Sequence, residues 1–125
     1  MENITIKDSA GADCVFSVIR QPAGNVSAVL HQILTGPGMN RTAFPKIEVS
    51  QKITAGKLEP VVTIAVPYGA VVDGAFVKQD QVTQVIRATQ KPAAPELARA
   101  DCAAFAEGLL ANEQIQDLFT LGALD

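Results

Sequence analysis

Apolar and polar residues alternate with a period of two along the chain as far as Gln90, and only after Pro95 does the period lengthen to that of a helix. Ile4 and Ile6 begin the first alternation, Asp8-Ser9-Ala10-Gly11 turns it, and Cys14 to Arg20 returns it, which predicts a hairpin within residues 1–24. Gln21-Pro22-Ala23-Gly24-Asn25 interrupts the pattern. Val26 to Leu34 predicts a third strand, and Gly36-Pro37-Gly38 breaks the chain again. The clearest alternation is Lys46 to Ile53, with Ile47, Val49 and Gln51 on one face and Lys46, Glu48, Ser50 and Lys52 on the other. Thr54-Ala55-Gly56-Lys57 turns it into Val61–Val66. A long loop, residues 67–80, then precedes a last strand from Gln81 to about Gln90. Residues 25–91 thus predict an antiparallel meander that brings the sheet to about five main strands.

The 67–80 connection is itself apolar. Val71-Val72-Asp73-Gly74-Ala75-Phe76-Val77 sets an Asp-Gly pair between apolar arms, a strong short-range hairpin signal. It reads either as a small hairpin folded onto its own domain or as a protruding loop whose arms, Val71, Val72, Phe76 and Val77, are buried by neighbouring subunits.

Pro92 and Pro95 end the sheet. Ala98, Cys102, Phe105 and Leu109 then form an apolar stripe at helical spacing, with Ala106 and Leu110 beside it. Glu96 sits where the helix dipole favours an acid. Asn112 can end this helix and cap a second, in which Ile115, Leu118 and Phe119 share a face and Gly122 stops the chain. Strands followed by a helical tail over 95–122 predict an α+β fold, one domain over residues 1–125. One helix pair is scant cover for such a sheet. Either the sheet closes on itself or another subunit covers it, so assembly is expected ahead of catalysis.

Composition fits a globular domain: 48% of residues are apolar and 18% charged, which argues against disorder. Only 5% are aromatic and none is Trp, so the core must come from Val, Ile, Leu and Ala. The formal charge of -3, from 10 basic and 13 acidic residues, argues mildly against a nucleic-acid binder yet permits one basic face. Cys14 and Cys102 lie outside any C-x-x-C spacing and read as small buried hydrophobes of a reducing compartment. Met1-Glu2-Asn3 opens no signal peptide, and no run approaches the ~18 apolar residues of a membrane span, so a soluble, cytoplasmically made protein is expected.

Candidate chemistry is sparse. His31, the one histidine, sits in Val29-Leu30-His31-Gln32-Ile33 without a neighbouring acid and reads as structural or surface-exposed rather than as a catalytic base. His and Cys together cannot build a three-ligand zinc site, Gly36-Pro37-Gly38 is followed by no G-K-[ST], and no serine lies in a G-x-S-x-G elbow. No catalytic residue, metal or cofactor is expected. The face Lys46/Glu48/Ser50/Lys52 reads as one solvated side of a half-buried sheet, or as a platform for phosphates with Lys57, Arg87 and Lys91 adding charge. Spacing alone favours the first, because Glu48 interrupts the lysines and no aromatic stands among them for stacking.

The succession of hairpin, three further strands, long loop, strand and paired terminal helices resembles the coat proteins of small single-stranded RNA bacteriophages, especially the Q-beta-like branch. The resemblance covers nearly the whole chain. Its best segments are Ile4-Thr5-Ile6, Val15 to Gly24 and Glu48-Val49-Ser50-Gln51. The strongest is the tail from Pro95-Glu96-Leu97-Ala98-Arg99-Ala100-Asp101 through Gly108-Leu109-Leu110-Ala111-Asn112 to Ile115-Gln116-Asp117. The resemblance implies a homodimer whose sheets join edge to edge, each helix pair lying across the partner's sheet through Leu97, Cys102, Phe105, Leu109, Ile115 and Leu118. Val71, Val72, Phe76 and Val77 would then form an inter-dimer loop. It implies an icosahedral shell around single-stranded genomic RNA, assembled in the bacterial host cytoplasm and found in the virion. The same dimer would bind an RNA stem-loop as a translational repressor.

Matched position by position, the resemblance places Val26, Lys46, Glu48, Ser50, Lys52, Val61, Thr63, Thr83 and Arg87 at the RNA, with Ala65 and Val85 on the same face. Lys46 and Glu48 replace hydroxyls that usually shape the family's adenine pocket. Thr63 stands where lysine is common, and Thr83 where a tyrosine stacks a loop base. RNA packaging remains the expectation; hairpin recognition of the usual kind does not follow. The rival reading is a small dimeric α+β ligand- or peptide-binding module without assembly, and an enzyme comes third.

Overall fold

A computed structural model describes residues 1–122 and forms two compact units, Met1–Thr89 and Gln90–Asp125. The first holds six antiparallel strands in sequence order: β1 (Ile4–Lys7), β2 (Asp13–Arg20), β3 (Ala28–Gln32), β4 (Lys46–Thr54), β5 (Lys57–Val72) and β6 (Ala75–Arg87). The second holds α1 (Glu96–Leu110) and α2 (Glu113–Leu121). The α+β class and the hairpin-plus-meander order expected from the alternation are both present. The third strand is shorter than its apolar run, because Val26 is diverted into an isolated bridge with Ala23 across the Gly24 turn.

Side-chain alternation divides the sheet into an apolar and a polar face. Phe16, Leu30 and Ile47 form the buried cluster on the apolar face. Ile4, Cys14, Val18, Val49, Val62 and Ile64 pack against it, so the N-terminal hairpin contributes to the core rather than lying apart from it. Cover fails toward the far strands, where Ile53 and Ile86 are exposed on the same face. Cys14 is half-buried, but Cys102 is exposed, contrary to the expectation of a buried thiol; it sits on α1, which has no buried residue.

The 67–80 stretch is not a loop. β5 and β6 continue their ladder through it, pairing Tyr68 with Asp80 and Gly69 with Lys78, out to Val72 with Ala75. The Asp-Gly pair supplies the turn: Asp73 and Gly74 both adopt positive φ, 52° and 80°, as a two-residue hairpin connection with the right twist requires. A shift in register between Tyr68 and Gly69 marks a bulge. A Cβ on Gly69 would lie 2.0 Å from the Val77 carbonyl oxygen, so only glycine fits there. The β3–β4 connector is fastened to this hairpin. Phe76 N–H donates to the Gly38 carbonyl at 2.8 Å, and Asn40 Nδ2 donates to the Phe76 carbonyl at 2.9 Å. Asn40 Oδ1 in turn accepts from the Thr42 N–H and hydroxyl, capping a single 3-10 turn at Arg41–Ala43.

In the helical unit Pro95 occupies the cap position before Glu96. Asn112 Oδ1 accepts from Gln114 N–H at 3.0 Å and starts α2, and Gly122 closes it in the left-handed conformation at φ 75°. Both ends follow the sequence signals.

Candidate nucleic-acid interface

The polar face is built by register. Directly opposed residues on neighbouring strands share a face. Lys46 therefore lies between His31 on β3 and Ala65 on β5, with Thr83 beyond on β6. The next row is Val29, Glu48, Thr63 and Val85; the next is Ser50, Val61 and Arg87; Lys52 then faces Glu59. The structure thus brings Lys46, Glu48, Ser50, Lys52, Val61, Thr63, Thr83 and Arg87 onto one surface. Val26 stands apart, exposed at the turn before β3.

Three neighbours alter the electrostatics of that surface. Glu48 accepts from the Ser27 hydroxyl at 2.7 Å and lies 3.8 Å from an Arg20 guanidinium nitrogen, which itself donates to Ser27. The carboxylate that interrupts the lysines is therefore countered by Arg20. Lys52, conversely, has Glu59 directly across the ladder, so its charge is locally offset. Neither Arg20 nor Glu59 could be assigned to this face from spacing, because the first follows a bulge in β2 and the second lies before Val61, where the predicted strand begins.

The strongest concentration of positive charge lies at the Lys46 end. His31, Arg41, Thr42, Phe44, Lys46, Ala65, Pro67, Lys78 and Gln81 line an open cavity of about 240 Å³. The His31 ring meets Phe44 edge-on, with centroids 6.4 Å apart. Burial, then the charges of Lys46 and Arg41, push the His31 pKa below its ordinary value of 6.5. Lys78 Nζ donates to Gln81 Oε1 at 2.7 Å, and Gln81 Nε2 donates to the Thr83 hydroxyl at 3.1 Å. Reading His31 as merely structural or superficial missed this setting: Arg41 arrives from the connector and Lys78 from the stretch taken for a loop.

The other anticipated surfaces are present as unburied side chains. Leu97, Cys102, Phe105 and Leu109 on α1 are exposed, while Ile115 and Leu118 on α2 are half-buried. Val71, Val72 and Val77 are exposed on the hairpin, with Phe76 half-buried.

An antiparallel six-strand meander followed by two helices is shared with solved coat-protein chains of bacteriophages. The virus-like particle chain of bacteriophage NT-214 superposes with a TM-score of 0.85 at 16% identity, covering 100% of this chain and 98% of that one. Beihai levi-like virus 21 gives 0.86 at 12% identity, covering 100% and 97%. The bacteriophage GA capsid protein gives 0.71 at 15%, covering 96% and 94%. No protein-family model and no curated protein matches the sequence.

Proposed function

We propose that this chain is a phage coat protein that dimerises, assembles into a closed shell and packages single-stranded RNA. The observation that carries the reading is the full-length likeness to chains of virus-like particles, end to end in both directions. The unfinished burial of the single chain supports the dimer. α1 and α2 contain no buried residue, and the apolar sheet face is open at Ile53 and Ile86. Helices from a partner laid over that face would remove both apolar surfaces from water at once.

The two sheet edges suggest where partners join. β1 is a four-residue edge, whereas β6 offers 13 residues paired on one side, with Val82 and Val85 exposed. A long apolar edge left free invites aggregation, so β6 is the edge we assign to the dimer. In such an assembly the role is structural rather than catalytic. RNA would lie on the polar face near Lys46, Ser50, Lys52 and Arg87, held chiefly through phosphates. Binding of a stem-loop, and repression of translation through it, would use the same face. Thr63 and Thr83 would give that recognition a chemistry different from the family's usual one.

Recombinant protein tests this directly. Electron microscopy and the 260/280 nm absorbance ratio of the purified material should show closed particles containing nucleic acid. A small dimer free of nucleic acid would support the ligand-binding module instead.

A further inference from the structure

We propose that the cavity between β3, the Arg41–Ala43 turn and the bulged part of the β5–β6 hairpin is a built phosphate pocket, occupied by a phosphate group of a nucleic acid. It has three cationic walls from three separate elements: Arg41 from the connector, Lys46 from β4 and Lys78 from β6. No carboxylate lines it among the described residues. Among the described residues the ion pairs are Lys7–Asp13 and Arg20–Glu48, so none of the three cations has an acidic partner. In a chain with 13 acidic and 10 basic residues, gathering three unpaired cations around one cavity runs against the bulk balance. Like charges gathered on one cavity repel, and burial, then the charges of Lys46 and Arg41, lower the His31 pKa. An anion relieves the repulsion, and guanidinium and ammonium donors suit phosphate oxygens.

The cavity is more than a charged stretch of surface. Ala65 and Pro67 give it a small apolar floor, Ala65 being only 4% exposed, and Phe44 fixes the His31 ring at its side. Lys78 is held by Gln81, whose amide continues to Thr83, so the pocket connects to the row that contains Lys46. Only Lys46 belongs to both the pocket and the stripe Lys46/Ser50/Lys52/Arg87. Occupancy would also tie the connector to the hairpin, because Arg41 and Lys78 would hold one anion from two separate elements. The identity of the ligand as nucleic acid rests on the proposed packaging role; the pocket's affinity for phosphate does not.

His31, the one histidine, is a built-in reporter. Its titration can be followed by proton NMR in untagged, unassembled full-length protein, with sodium chloride, inorganic phosphate, uridine 5′-monophosphate or a short oligouridylate at matched ionic strength. An anion between Arg41, Lys46 and Lys78 should raise the His31 pKa with all three phosphate probes, and the oligonucleotide should bind most tightly. Arg41→Gln and Lys78→Gln should each weaken binding about tenfold, the scale of a lost hydrogen bond to a charged group. Lys7→Gln, at an exposed residue paired with Asp13 away from the cavity, should leave the His31 response unchanged. An unresponsive His31, or equal losses from Lys7→Gln and the pocket variants, would overturn the pocket. A response to inorganic phosphate but none to the oligonucleotide would overturn its assignment to nucleic acid. RNA-filled particles with an unresponsive His31 would sink the pocket and leave the packaging role standing. A responsive His31 in a protein that forms no particles would do the reverse.

Discussion

The sheet unit and the helical unit are patterned with equal care for burial, yet only one of them achieves it within a single chain. In the sheet, Phe16, Leu30 and Ile47 close a core, with Leu30 fully buried. In the helices the stripe that includes Phe105 and Leu109 is as regular, but Phe105 remains 74% exposed and no helical residue is buried. Isolated helices of this length are marginal in water, and most helical stability in proteins comes from packing an apolar face. On the proposed dimer, the difference has a simple reading: the helical pattern is written for a surface that a second copy would bring. The apolar face of the sheet is likewise uneven, buried at Phe16, Leu30 and Ile47 and exposed at Ile53 and Ile86.

The sharpest way to break this comparison is to truncate the helix stripe. Phe105→Ala, nearly neutral if the ring stays in water, should cost ~3–5 kcal/mol if a partner buries it. Folding and dimerisation should then fail together, which denaturation at several protein concentrations would reveal. A matched change on the sheet, Leu30→Ala, should cost ~2–5 kcal/mol in any assembly state. Next in size is Gly69→Ala, where the added Cβ collides with the Val77 carbonyl. It should cost roughly 1–3 kcal/mol as overpacking and loosen the hairpin, measurable as faster amide exchange beyond Tyr68. Replacing Val72 and Phe76 by Ser should spare the dimer and impair assembly, read by particle yield on a sizing column. Normal yield would return those residues to a purely local role.

Smaller effects belong to the polar face. Lys46→Ala with Lys52→Ala should flatten the salt dependence of RNA binding by ~0.7–0.9 in log–log slope for each phosphate left without its lysine. Lys46 should account for most of it, because Lys52 faces Glu59. Filter binding at several salt concentrations with the two single variants separates them. The smallest effect is on pH. His31 has a lowered folded pKa, so its contribution to stability is complete above the unfolded value near 6.5 and fades as pH falls from there through the folded pKa. His31→Gln should flatten acid destabilisation in that window, seen in melting temperatures between pH 7 and the lower value.

Strict period-two alternation at Lys46–Ile53 sorted that strand's residues onto the right faces, and the signals at Asn112 and Gly122 located α2. These depend on local chemistry, which a single chain carries. The hairpin beyond Pro67 was partly legible: Asp73-Gly74 announced the turn. Apolar arms with a bulge at Gly69 broke the alternation, however, and hid a ladder that runs out to Val72. The basic cavity was illegible for a different reason. His31, Arg41, Lys46 and Lys78 come from four places in the chain, and only the register and the clasp by Gly38 and Asn40 bring them together. The offset of Glu48 by Arg20 is likewise a product of the β2 bulge rather than of any motif.

The most direct test of the central claim, that the chain completes its core only with a second copy, is sedimentation equilibrium of unassembled protein at micromolar concentration, with circular dichroism on the same samples. The account predicts folded dimers and, on dilution, simultaneous loss of dimer and helical signal. An obligate interface of this kind should bury more than about 2,000 Å². A stable, folded monomer that keeps its helices at micromolar concentration would contradict it.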